Sequence, residues 1–179
     1  KYKGNNFKFP LEEFEEKINI YKPKLVFICN PNNPTGTVLE ADKILEIAKN
    51  NKKSLIVVDE LYERFYGDSI IPKANFEEIN NIIAIQSLSK TAGLAGLRMG
   101  FAFGNKNLIN YINKVTGPYD INSFAVTATM AALNDKKYID DYVFEVKKAR
   151  EWIKNKFESL DSRSNFNGGN YFLIWPNKD

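Results

Sequence analysis

Histidine is missing from all 179 residues, and cysteine occurs once. The first absence removes the usual Ser/His and Cys/His nucleophile pairs, together with most zinc and haem sites, so no metal is expected. Chemistry in this chain has to run on lysine, carboxylates, tyrosine or a bound cofactor. The second absence rules out a disulfide within the chain, which suits a reducing cytoplasm. Cys29 lies in the run Leu25-Val26-Phe27-Ile28-Cys29 and is expected to be a packed core thiol. Runs of 18 or more apolar residues are also missing, as is a charged-then-apolar leader, so neither a membrane span nor a secretory signal is expected. A net charge of +3 is too small to point to nucleic acid. Lys136, Lys137, Lys147, Lys148 and Lys154 are interspersed with acids, as on solvated helix faces.

The chain is long enough for one domain with a real core, or one domain with an appended piece. Leu11, Phe14 and Ile18 share one face of a helix over 11–20, which Lys22-Pro23-Lys24 interrupts. A strand over 25–29, a helix over 40–50 and a second strand over 55–58 then read as strand, crossover helix, strand. Residues 82–85 form a third apolar run. Such near-continuous β-branched runs predict burial on both faces. A fourth strand over 98–103 follows too soon after Lys90 for a crossover helix, which predicts that it runs antiparallel to its neighbour. Helical periodicity takes over at 108–114, 123–133 and 139–160, the last with Tyr142, Val146, Ala149, Ile153 and Phe157 in register. Gly168-Gly169 introduces a closing strand over 171–175 with no evident partner. The expected division is 1–135 for a large α/β domain and 136–179 for the start of a smaller one. The opening Lys1-Tyr2-Lys3-Gly4 and the late final strand lead us to expect a fragment.

Three segments carry polar residues at the ends of these strands: Asn30-Pro31-Asn32-Asn33-Pro34-Thr35-Gly36, Val57-Val58-Asp59-Glu60-Leu61-Tyr62 and Ser87-Leu88-Ser89-Lys90. In a parallel sheet all three arrive on one rim, where open α/β sheets bind ligands. A partly desolvated Lys90 would be a nucleophilic amine able to form a Schiff base, or else a solvated lysine at a strand end. Ser87, Ser89 and Arg98 supply two hydroxyls and a forked cation, a set that suits a phosphate dianion, although Arg98 could equally make a structural ion pair. Asp59, ending an apolar run, calls for a positive partner such as a protonated ring nitrogen, or caps a following helix. Tyr62 turns its hydroxyl to the same cavity or packs. Asn33 precedes a proline, which holds it extended, and it either aims its amide at the site or marks a plain turn.

In order and spacing, NPNNPTG, VVDELY and SLSKTAGLAGLRMGF resemble the fold type I aminotransferases that use pyridoxal phosphate, most closely their histidinol-phosphate aminotransferase subgroup. Pro118-Tyr119-Asp120-Ile121-Asn122-Ser123 is similar to a loop that precedes a helix in that subgroup. The resemblance runs from Phe7 to Trp175. It implies an α/β fold: the middle of a large domain with a mostly parallel sheet, one antiparallel strand and helices on both faces, then the start of a small α+β domain. It implies transfer of an amino group between an amino acid or amino-alcohol phosphate and a 2-oxo acid, in a cytoplasmic homodimer with the active site at the subunit interface. Lys90 would form the Schiff base with pyridoxal 5′-phosphate and shuttle the substrate proton. Asp59 would keep the ring nitrogen protonated, Tyr62 and Asn33 would bind the ring's phenolic oxygen, and Ser87, Ser89 and Arg98 would hold the phosphate.

Family members are considerably longer. The resemblance therefore also implies that the helix N-terminus facing the phosphate, the aromatic over the ring and the arginine for the substrate carboxylate lie outside these residues. It assigns the last role to none of Arg64, Arg150 or Arg163. Two rivals remain: a threonine-phosphate decarboxylase-like lyase on the same cofactor, and a non-catalytic fragment of the fold. Dinucleotide binding is disfavoured because no G-x-G-x-x-G follows any strand.

Overall fold

A computed structural model of the chain describes residues 7–160 and 163–176. Its elements follow the order α1 (Leu11–Tyr21), β1 (Leu25–Cys29), α2 (Ala41–Asn50), β2 (Leu55–Asp59), β3 (Ile82–Gln86), β4 (Phe101–Gly104), α3 (Lys106–Asn113), α4 (Ser123–Asn134), α5 (Lys136–Glu158), β5 (Arg163–Asn165) and β6 (Leu173–Trp175). Single turns of tighter 3-10 helix occur at Glu63–Phe65 and Ala95–Leu97.

Strands β1 to β4 form one sheet in sequence order. The first three are parallel, and β4 returns antiparallel against β3, as its short connection requires. Register aligns the ends of the parallel strands: Cys29 pairs with Asp59, and Asp59 with Ile85. The ladder continues one residue further, with the Asn30 N–H donating to Asp59 O and the Glu60 N–H to Ile85 O, both at 2.8 Å. Three chain segments thus leave the sheet side by side on one rim.

Alternation puts Val26, Ile28, Ile56, Val58, Ile82 and Ala84 on one face, all buried, where α1 and α2 cover them. Helix α2 contributes Ala41, Ile44, Leu45, Ile47 and Ala48, the i, i+3, i+4, i+7 stripe of an amphipathic helix. Full burial of side chains such as Ile44 and Ile47 contributes about 1.5–3 kcal/mol each. Helix α1 carries Glu12 and Glu13 in its first turn, where the dipole favours them, and ends at Lys22 in the left-handed region. A second cluster gathers Phe65, Leu88 and Ala92 against Ile139 and Val143 of α5.

The structure departs from the sequence expectations in four places. Strand β1 is not buried on both faces: Leu25, Phe27 and Cys29 are exposed, because β1 is an edge strand and nothing among the described residues packs on that side. Cys29 is accordingly not a core thiol. The closing strand is not unpartnered: β6 pairs with β5, whose Arg-Ser-Asn sequence has no apolar alternation to reveal it. On α5, Tyr142, Val146, Ile153 and Phe157 of the expected stripe are half-buried, but Ala149 is exposed and the most buried positions are Ile139 and Val143 beside that stripe. Finally, β4 begins at Phe101 rather than Arg98, since Arg98 sits at φ +55, outside any strand conformation.

Candidate active site

The loop that leaves β1 is held from inside. Asn30, 2% exposed, closes a two-way bridge to Leu39: its Nδ2 donates to Leu39 O at 2.9 Å and its Oδ1 accepts the Leu39 N–H at 2.8 Å. Asn32 Nδ2 donates to Thr35 Oγ1, and Thr35 and Thr37 share a hydroxyl contact, each bond at 2.8 Å. Gly36 takes φ +65, and a Cβ there would lie 2.6 Å from the Asn167 carbonyl carbon, so only glycine fits. Thr35 O accepts from Asn165 Nδ2 at 2.8 Å. Of this loop's polar side chains, Asn33 is the one aimed across the rim: its Nδ2 donates to Tyr62 Oη at 2.8 Å.

Beyond β2 and β3 the arrangement is more open. A cavity of about 350 Å3 is lined by Asp59, Ser87, Ser89, Lys90 and Arg98, with Met99 on its wall. Asp59 Oδ1 accepts the Leu61 N–H at 3.0 Å; it caps no helix, and that bond fixes the carboxylate at the end of β2. Ser87 Oγ donates to Met99 O at 2.8 Å and lies 2.7 Å from Ser89 Oγ, so the Ser89 hydroxyl supplies the proton between the two. The Ser89 N–H also donates to Ser87 Oγ at 3.0 Å. Arg98 is exposed and donates one Nη1 bond to Ala95 O at 3.0 Å, with the rest of its fork open among the described residues. Lys90 is partly buried and shows no ion pair among the described residues.

The structure thus brings five of the seven expected site residues around one cavity and joins the other two, Asn33 and Tyr62, to each other beside it. Partial burial of Cys29, followed by the nearby Asp59 charge, pushes its thiol up, so it offers no ready thiolate to this rim. Three arginines are engaged elsewhere: Arg64 pairs with Asp140 at 3.1 Å, Arg150 donates to Gly169 O at 2.7 Å, and Arg163 stacks on Trp175. No His, Cys, Asp and Glu cluster among the described residues could hold a metal. No helix among them is long and apolar enough to cross a membrane.

Sequence reasoning missed three supports of this rim. Glu60, 2% exposed, accepts from Ser69 Oγ, the Ile70 N–H and Gln86 Nε2, tying β2 to β3 just below the site. Asn30 bridges both backbone groups of Leu39, a role that its place in the motif does not reveal. Tyr171 lies ahead of β6, outside the strand expected over 171–175, and its ring meets Tyr62 edge to face at 4.9 Å. Only the Gly168-Gly169 pair, which allows an unusual turn just before it, could have drawn attention to Tyr171.

Comparison with known proteins gives the family and the fold. The family model for aminotransferase class I and II matches residues 1–167. A curated histidinol-phosphate aminotransferase of Thermoanaerobacter pseudethanolicus is 40% identical over 149 residues, covering 83% of this chain and 42% of that protein. Among solved structures, the histidinol-phosphate aminotransferase of Sinorhizobium meliloti in complex with pyridoxal-5'-phosphate superposes with a TM-score of 0.86 at 22% identity, over 99% of this chain and 48% of the other. The L-threonine-O-3-phosphate decarboxylase of Porphyromonas gingivalis shares the fold with a TM-score of 0.81 at 23% identity, over 96% of this chain and 53% of the other. The chain spans about half the length of these relatives. A family match over nearly its whole length, laid on a sheet with these strand-end residues, shows that this chain belongs to the class I and II aminotransferases.

Proposed function

We propose that this chain carries the cofactor-binding centre of a pyridoxal-phosphate-dependent aminotransferase of the histidinol-phosphate aminotransferase kind. Such an enzyme moves an amino group between an amino acid or amino-alcohol phosphate and a 2-oxo acid. The observation that carries the reading is the single cavity at the strand ends that collects one amine, one carboxylate, two hydroxyls and one guanidinium. That donor set fits a phosphorylated pyridine aldehyde group by group. When bound, pyridoxal 5′-phosphate supplies the electron sink that makes a substrate Cα proton removable.

Each residue's part follows from its chemistry. Lys90 provides the amine that anchors a carbonyl and the base that takes and returns a proton at the substrate Cα. Asp59, fixed through Leu61, would face a protonated ring nitrogen as counter-charge. Tyr62 Oη, already accepting from Asn33, can donate its own proton to a phenolic oxygen. Ser87, Ser89 and Arg98 would hold the phosphate, the serines exchanging their mutual contact for charge-assisted bonds.

The same reading extends to the whole protein: a cytoplasmic homodimer, with residues 1–135 in the large domain and 136–179 beginning the small one. Exposed Val115, Tyr119 and Phe124 support a covered face in the dimer. The separate β5–β6 sheet supports the domain division.

Titration of the chain with pyridoxal phosphate tests the proposal. A saturable visible band is expected that Lys90→Ala abolishes, and borohydride trapping should fix the adduct on Lys90. A band that survives in Lys90→Ala, or an adduct mapped to other lysines, overturns it.

A further inference from the structure

The residues from Asn165 to Tyr171 lie over the loop that follows β1 and touch it repeatedly. Asn165 Nδ2 reaches Thr35 O at 2.8 Å, and the Asn167 backbone abuts Gly36. Tyr171 Oη donates to Asn32 O at 2.6 Å. Its ring meets the Tyr62 ring at 4.9 Å and 88°. Tyr62 accepts from Asn33, and Asn33 follows Asn32 in the chain. The contacts therefore close a circuit: Tyr171 to Tyr62, Tyr62 to Asn33, Asn33 to Asn32, and Asn32 back to Tyr171.

Tyr171 reaches this place because of what precedes it. Gly169 takes φ +133, and a Cβ there would lie 2.6 Å from the Tyr171 ring. Arg150 of α5 donates to Gly169 O at 2.7 Å, fixing the turn from the other side. A residue remote in sequence is thus held by a helix and a glycine turn against the Tyr62 ring and the Asn32 carbonyl.

We propose that Tyr171 is a positioning residue that sets the orientation of the Tyr62 hydroxyl and the Asn33 amide; this rests on the reading of the site given above. Its ring blocks one side of Tyr62, and its hydroxyl pins the peptide that carries Asn33. An edge-to-face pair and one hydrogen bond acting together are worth about a fivefold change in the population of the aligned arrangement.

Two variants and two readouts test this. Tyr171→Leu removes ring and hydroxyl; Tyr171→Phe keeps the ring pair and removes the bond to Asn32. In the protein without cofactor, hydrogen exchange at the Asn32 and Gly36 amides, which bond to Thr37 O and Asn32 O, should quicken about fivefold in Tyr171→Leu and less in Tyr171→Phe. Amides of β2 and β3 should stay as protected as before. With pyridoxal phosphate added, Tyr171→Leu should bind about fivefold more weakly and displace the pH midpoint of the visible band, with Tyr171→Phe moving it less in the same direction. A lower melting temperature with an unmoved midpoint would make Tyr171 merely structural and overturn the proposal. Should the unaltered protein give no Lys90-dependent band, the functional reading itself fails. Exchange alone then decides, and Asn32 and Gly36 amides that do not respond overturn the positioning role. If Tyr171→Leu does not fold, Tyr171→Phe decides by the same measurements.

Discussion

The loop after β1 and the loop after β3 both bring polar residues to the same rim, yet they are built in opposite ways. In the first, Asn30, Thr35 and Thr37 are buried and their side chains bond to the chain itself, leaving Asn33 to face outward. In the second, Ser87 bonds to Met99 O and the Ser89 N–H, the Ser89 hydroxyl bonds to Ser87, Arg98 is exposed, and Gly93 and Gly96 have nothing within reach of an added Cβ. The first loop is a rigid platform for one amide. The second keeps hydroxyls and a guanidinium available for a ligand, at the expense of its own internal support.

Substitutions separate the two designs. Asn30→Ala leaves the Leu39 N–H and C=O unpaired in the interior and should cost about 3 kcal/mol of unfolding free energy in urea, whereas Ser89→Ala should cost under about 1 kcal/mol. Equal losses would mean that the loops are equally load-bound and the contrast is false. A matched glycine pair sharpens it. Gly36→Ala and Gly93→Ala both force alanine into φ near +65 to +69, worth about 1 kcal/mol, but only Gly36 would also drive a Cβ into Asn167. Thermal unfolding should therefore show a loss of about 2–3 kcal/mol for Gly36→Ala against about 1 for Gly93→Ala.

The far end of the first loop supplies a pH test. Asp68 accepts the Ala41 N–H at the start of α2 and pairs with Lys73 at 3.0 Å. Burial opposes its ionisation, but the Ala41 N–H and Lys73 outweigh it and hold the carboxyl below the usual range. Such a group stabilises the fold above the ordinary aspartate value near about 4 and loses that contribution as pH falls through its lowered one. Asp68→Asn should cost about 0.5–1 kcal/mol at neutral pH and nothing in strong acid; a cost that persists in acid would rule out the charge. The smallest stability effect belongs to the second loop. Arg98→Ala should change unfolding by less than about 0.5 kcal/mol while weakening pyridoxal phosphate binding about tenfold, read by spectral titration. A large loss of stability with unchanged affinity would place Arg98 with the structural residues instead.

Much of the scaffold was legible from local pattern. Strands β1 to β3, helices α1 and α2 and the antiparallel return of β4 follow from apolar runs, turn residues and connection length. Asp59, Ser87, Ser89, Lys90 and Arg98 stood out because motifs placed them at strand ends, and parallel register then set them around one cavity. Less could be read where burial depends on a neighbour. β1 has the same apolar character as β2, but β2 is flanked on both sides and β1 on one, which leaves Phe27 and Cys29 exposed. β5 is three polar residues, a strand only because β6 lies beside it.

By itself, then, the sequence determined where β1 to β3 lie, the alternation of α2 with β1 and β2, and which chemistry the rim could offer, because these are encoded in residues a few positions apart. The tertiary structure alone decided that Asn165 and Tyr171 clamp a loop more than a hundred positions away and that Asn33 spends its amide on Tyr62. Contacts over such separations depend on how the elements close on one another, and no local periodicity records them.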